Sequence, residues 1–209
     1  MERLPLSVNK SNLLRLKDEL SFAKDGLELL DEKKEALMAH ISSLSIRSET
    51  VRTRMNEAME EAYGHLRKAM VAHGRMDCER ASLGTAMNEE IQVREKSYMG
   101  VALPVVRMSL PKFLPTYGLQ GTGASMDSVA RSVYDSLGII VELAEIEVGL
   151  FRLVTEIKRT IKRINALENI YVPLYEATIK HIEESLEEKE REFLFQLKRQ
   201  KAQREGPNL

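Results

Sequence analysis

The chain has 209 residues, with 31 Lys and Arg against 32 Asp and Glu and a formal net charge of −1. Its 30% charged residues, 5% aromatics, absent Trp and 11 Gly give the profile of long helices rather than of a β-sandwich or an α/β enzyme. The charge balance argues against a strongly basic nucleic-acid-binding domain, the single Cys78 excludes an internal disulfide and a cysteine-rich metal site, and no apolar run approaches the roughly 18–20 residues that span a bilayer.

The start, Met1-Glu2-Arg3-Leu4-Pro5, lacks the apolar stretch of a signal peptide, so a soluble cytoplasmic chain is expected. Prolines then divide the sequence. None falls between Pro5 and Pro104; Pro104, Pro111 and Pro115 cluster; only Pro173 interrupts the stretch from there to Pro207. Proline costs about 3 kcal/mol inside a helix. The map predicts a long helical segment, a broken middle and a second long helical segment.

In the first segment Leu13, Leu16, Leu20, Ala23, Leu27, Leu30, Lys34, Leu37, Ile41 and Leu44 follow 3–4 spacing, continued by Val51, Met55, Ala58 and Ala62. Sustained spacing of this kind predicts a coiled coil. Asn9 suits the N-cap, Lys34 can snorkel past the seam, and the helix is expected over 9–75, ending near Gly74.

The middle, 76–125, differs. Glu90 to Glu95 alternate apolar and polar residues, Gly100 follows, and Val101 to Met108 are again extended in character, which predicts a β-hairpin over about 89–109. Pro104 must sit on an open edge. Lys112 to Gly123, with Pro115, Gly118, Gly121 and Gly123, reads as a flexible connecting loop.

The last segment mirrors the first. Leu143, Ile146, Leu150, Leu153, Ile157, Thr160, Ile164, Leu167, Tyr171 and Leu174 keep the spacing, and the seam then moves to Ile179, Ile182, Leu186 and Phe193. A bend at Pro173 accounts for that shift at this level. Helix is expected over 126–203, capped by Ser125 or Asp127, with a tail at 204–209. A helix of about 65 residues is about 100 Å long, more than twice the ~45 Å width of a compact globule of this size. The expected fold is therefore all-α: a long antiparallel two-helix left-handed coiled coil with a short β-hairpin and loop inserted in the middle.

No catalytic constellation stands out. Glu183-Glu184 and Glu187-Glu188 read as i,i+4 partners of basic residues on a solvated face. His40, His65, His73 and His181 lack metal-ligand spacing, although Glu61 and His65 could share a helix face. The glycine loop lacks the Lys-Ser/Thr of a phosphate-binding loop. Cys78 reads as a surface or half-buried thiol with no nucleophile partners. The basic run Lys198-Arg199-Gln200-Lys201 complements a helix C-terminus and lacks an aromatic platform for nucleic acid. No cofactor, metal or catalytic residue is expected.

Two stretches carry a family resemblance. Asn12-Leu13-Leu14-Arg15-Leu16-Lys17, with Leu20, Ala23, Gly26, Leu29-Leu30, Lys33-Lys34 and Leu37, resembles the opening helix of the D subunits of V-type (A-type) ATPases. More specific are Thr160, Arg163, Asn165, Ala166, Leu167 and Glu168, then Pro173, which resemble that family's T-x-x-R-x-N-A-L-E … P stretch; Glu190-Arg191-Glu192, Phe195 and Leu197-Lys198 resemble its ending. The resemblance implies a non-catalytic central-stalk rotor that transmits torque between an ATP-hydrolysing or ATP-synthesising ring and a membrane ion-translocating ring. The implied partners are the catalytic A and non-catalytic B subunits of the ring, a small F subunit and a C/d-type subunit, with no nucleic acid and no membrane insertion. The paired termini would form the tip inside the ring, with Asn12, Arg15, Arg191, Lys198, Arg199 and Lys201 as candidate contacts. Residues near 45–75 and 130–150, with the hairpin, would meet the stalk. The rival reading is a free-standing interaction protein, either a prefoldin-like chaperone or a membrane-shaping helical dimer. The latter needs a basic face, and these charges are balanced.

Overall fold

The structure, a computed structural model, describes residues 3–84, 91–109, 113–115, 117–118 and 121–204. The first two residues expected in the hairpin, at 89–90, lie outside the described residues, as do Pro111, Lys112, Leu119, Gln120 and the tail 205–209. Long helices and one antiparallel two-stranded sheet make up the fold: α1 (Lys10–His73), α2 (Arg75–Leu83), β1 (Ile91–Tyr98), β2 (Val101–Met108), α3 (Ala124–Ala166), a π-helical turn (Leu167–Tyr171) and α4 (Val172–Arg204). The chain forms two compact units, Met1–Glu35 with Lys158–Leu209 and Ala36–Ile157.

In the first unit the start of α1 pairs antiparallel with α4. Asn9 caps α1: its Oδ1 accepts the Asn12 amide at 2.7 Å and its carbonyl accepts the Leu13 amide. Leu16, Ile179 and Ile182 are buried at the seam, with Leu13, Leu20, Tyr175 and Leu186 packed around them. Ahead of the cap, residues 3–9 form an extended strap that the heptad pattern does not include. Leu4, Leu6 and Val8 alternate with exposed residues and pack on the same core. The Leu4 amide donates to Thr178 Oγ1 at 3.2 Å, and Thr178, 1% exposed, donates that hydroxyl's hydrogen to the Leu174 carbonyl.

The seam shift has a cause other than a simple proline bend. Pro173 has no N–H and its ring crowds the carbonyl four residues back. Just ahead of it the helix widens into the π-turn, and the Val172 amide reaches the Leu167 carbonyl five residues away. This absorbs one extra residue. The frame of Thr160, Ile164 and Leu167 would continue to 171, 174 and 178, yet Tyr175, Ile179, Ile182 and Leu186 pack on Leu16, each one place later. Tyr171, expected in the seam, is 47% exposed. Phe193, also expected there, is 60% exposed, because α4 beyond Leu186 is exposed and no described residue of the unit covers it.

In the second unit Val51, Leu143 and Ile146 form one buried cluster between α1 and α3, flanked by Leu44, Met55, Ile139 and Leu150. Antiparallel pairing is marked by His65 Nδ1 with Ser132 Oγ at 3.2 Å and His73 Nε2 with Ser125 Oγ at 3.0 Å. The chain leaves α1 at Gly74, whose φ of 83° suits glycine and whose amide reaches the Met70 carbonyl. Then α2 folds back so that Cys78 and Ala81 join Ala69, Tyr117 and Met126 in a small core; the thiol is buried, not on the surface.

The segment before α3 is tied down at Tyr117, which is buried and donates its hydroxyl to Asp127. Burial first, then that hydrogen bond and the carboxylate's charge, push the Tyr117 phenol up to about 12. Neither Ser125 nor Asp127 caps α3. The carbonyl of Gly123 accepts the Met126 and Asp127 amides, while Ser125 faces His73 and Asp127 faces Tyr117. A Cβ on Gly123 would stand 3.0 Å from His73 Cε1, so the close approach of this backbone to the ring selects glycine.

Met99 and Gly100, with φ of 49° and 80°, form the two-residue hairpin turn. Tyr98 pairs with Val101 beside it and the register runs to Ile91 opposite Met108. The main packing is at the end near the turn, where Val101 is buried with Leu37, Leu153 and Ile157, and Tyr98 and Leu103 lie against them; farther along β2 Pro104 is also buried. The His40 ring stacks on Tyr98 at 4.2 Å.

Candidate partner-binding surfaces

In the first unit three lysines of α1 reach three glutamates of α4: Lys10 to Glu190 at 3.0 Å, Lys17 to Glu183 at 2.7 Å and Lys24 to Glu176 at 2.8 Å. Each rung is one heptad from the next on both helices, the flank position of an antiparallel coiled coil. Glu183 therefore bonds across the pair rather than within α4, whereas Glu187 does bond Arg191 one turn on, at 3.2 Å. Lys34 lies half-buried by the seam with its amine on Asp31. That hydrogen bond first, then the charges of Asp31, Glu35 and Glu168, hold its pKa above the ordinary lysine value.

The six candidate contact residues divide by role. Asn12 is occupied in the strap: its Nδ2 donates to the Ser7 carbonyl at 2.9 Å and to Ser7 Oγ at 3.0 Å. Arg15 pairs with Glu19 on its own helix at 3.1 Å. Arg191, Lys198, Arg199 and Lys201 lie on the bare end of α4 among Phe193, Leu194, Phe195 and Leu197, which are 60%, 56%, 68% and 45% exposed. This end combines large apolar side chains with cationic ones and has no covering layer among the described residues.

The motif residues sit where the π-turn begins. Thr160 is buried, Arg163 is exposed, Ala166 ends α3, and Leu167 and Glu168 open the turn. The Asn165 carbonyl accepts Asn169 Nδ2 at 3.0 Å, a side-chain donor at the point where the α ladder changes register. Half-buried Pro173 follows. The motif thus encodes a local backbone form and brings no reactive groups together.

The second unit carries a cleft of about 340 Å³ between α1 and α3, lined by Glu61, His65, Asp127, Arg131, Ser132 and Asp135 together with Ala58, Ala124 and Ile139. His65 is engaged with Ser132 there. Among the described residues no group of three or more His, Cys, Asp or Glu could hold a metal ion, and no helix is long and apolar enough to cross a membrane. The face of the hairpin turned from the core exposes Ile91 and Val93. Sequence reasoning missed the strap, Thr178 and the His–Ser pairs. The alternation of Leu4, Leu6 and Val8 was a signal available for the strap.

The family model for the D subunit of ATP synthase matches residues 12–202. The A-type ATP synthase D subunit of Pyrococcus abyssi is 36% identical over 204 residues, covering 96% of this chain and 95% of that protein. That of Methanopyrus kandleri is 37% identical over 194 residues, covering 92% and 84%, and that of Methanosphaera stadtmanae 35% over 196 residues, covering 92% of each.

Proposed function

The chain belongs to the ATP synthase D-subunit family, and we propose that it works as the non-catalytic central-stalk rotor of an A-type or V-type complex, transmitting torque between the nucleotide ring and the membrane ion-translocating ring. The observation that carries this reading is the bare end of α4. A helix that outruns its own coiled-coil contacts while exposing Phe193, Leu194, Phe195 and Leu197 is built to be covered by another protein. The A and B subunits of the ring fit that role. Arg191, Lys198, Arg199 and Lys201 supply polar contacts that water can bridge and that can exchange as the rotor turns. Arg15 contributes from α1, and Asn12 acts indirectly by shaping the strap. The second unit, with its hairpin, is the part proposed to meet the F and C/d-type stalk subunits. Such a chain reaches the membrane only through the complex.

Deleting the residues after Leu186 in the assembled complex tests this. ATP hydrolysis by the ring should persist while ion pumping is lost, read by proton or sodium uptake into vesicles. Full coupling in the truncated complex refutes the tip assignment. The free-standing alternative predicts that the tagged chain purifies without an ATPase ring.

A further inference from the structure

The open edge of β2 is completed by side chains of α3. Strand pairing beside the two-residue turn directs Val101, Leu103 and Val105 at β1, so Ala102, Pro104 and Val106 turn their backbone groups outward. The Val106 amide donates to Glu145 Oε2 at 2.7 Å, and the Ala102 carbonyl accepts Arg152 Nη1 at 2.7 Å. Between them Pro104, buried on this edge, has no N–H to satisfy. Glu145 and Arg152 are seven residues apart, two turns of one helix face. Arg152 also reaches Glu95 of β1 at 3.0 Å and so holds both strands.

We propose that the hairpin is a releasable brace on the second unit, and that Glu145 and Arg152 are the two-point latch that holds it closed. A two-stranded hairpin is marginal alone and needs an external hold. Seven of the eight residues of β1 are exposed, so β1 supplies almost none. Apolar packing on the helices centres on the turn end, at Tyr98, Val101 and Leu103, and farther along β2 Pro104 is buried while Val105, Val106 and Met108 are half-buried. Along its open edge β2 is held as well by charged side chains on backbone groups. These are stronger than neutral hydrogen bonds, yet their exposed rim lets a partner compete for them. Opening would uncover Val101, Leu103, Leu37 and Ile157. The brace therefore stays shut unless another surface covers that stripe, which makes it a two-state element. This is a property of the chain itself and does not depend on the assembly it joins.

Amide hydrogen exchange on the full chain tests it. In the wild type, amides of 91–108 should exchange through an opening that leaves α1 and α3 amides protected. In E145A/R152A, hairpin exchange should rise about tenfold or more, the factor expected on losing hydrogen bonds to charged groups, with helical amides unchanged. E145Q and R152K, which each keep a bonding group, should return most of the protection. Unchanged hairpin exchange in the double variant overturns the proposal. Hairpin and helix amides opening in step overturns it too, and because that can be read in the wild type, the test survives a double variant that fails to fold.

Discussion

The two units are stabilised by different chemistry along the same long helix. The first is an antiparallel pair joined by leucine and isoleucine contacts, edged by a Lys–Glu ladder and crossed by the strap. The second adds small and polar residues at the helix contact, with Ala62, Ala69 and Ser136 buried and the His–Ser pairs beside them, and a hairpin as a third layer. A heptad pattern alone does not distinguish them. What separates them is what lies against the flank of the pair: seven residues of the chain's own start in one unit, a sheet in the other.

The largest expected effect comes from the fully buried leucines. Leu16→Ala and Leu153→Ala should each cost about 2–5 kcal/mol in urea unfolding. Their side effects should differ. Leu153→Ala should also loosen hairpin amides and Leu16→Ala the strap, because each leucine belongs to its own cluster. If either substitution loosened both segments equally, the distinction between the units would fail.

A smaller effect follows from Tyr117, which belongs to the second unit. Its folded pKa, raised to about 12, lies above the ordinary tyrosine value near 10, so the folded state keeps its proton longer than the unfolded chain does. The associated stability is fully present below about pH 10 and is lost as pH rises toward 12. Thermal melts should show wild type losing stability more steeply than Tyr117→Phe across that window, and parallel curves would contradict the assignment. The smallest effect belongs to the first unit's ladder. Its rungs are exposed, so Lys17→Ala should cost about 0.2–1 kcal/mol at low salt and nearly nothing at high salt. A cost that salt leaves intact would mean that Lys17 acts through packing instead.

Much of this was legible in the sequence. Leu16, Ala23, Leu37, Val51 and Ala62 are buried as their spacing implies, since a helix seam is a local, periodic property. The hairpin was legible because Gly100 and the flanking alternation specify a turn and two strands within about twenty residues. The π-turn was only half legible: the seam's shift can be counted, but the spacing does not say that the extra residue is taken up at Leu167–Tyr171, ahead of Pro173. Phe193 misled because periodicity reports which face a residue is on and says nothing of whether another helix lies opposite. The edge bonds of Glu145 and Arg152 join residues 39 and 50 positions apart in the chain, beyond any local pattern.

The ladder also has a weakness that its regularity creates. Sliding α1 along α4 by one heptad would again set lysines against glutamates at two of the three rungs, so the charges nearly repeat and cannot by themselves fix the alignment. Something aperiodic must mark the zero of the scale. The Leu4 amide on the hydroxyl of Thr178 does so against one slide, because the place seven residues back holds Tyr171, whereas Ser185 seven residues on again offers a hydroxyl; the strap that delivers Leu4 is anchored to the start of α1 through Ser7, Asn9 and Asn12. The strap of residues 3–9 thus acts as an index mark against one of the two slides.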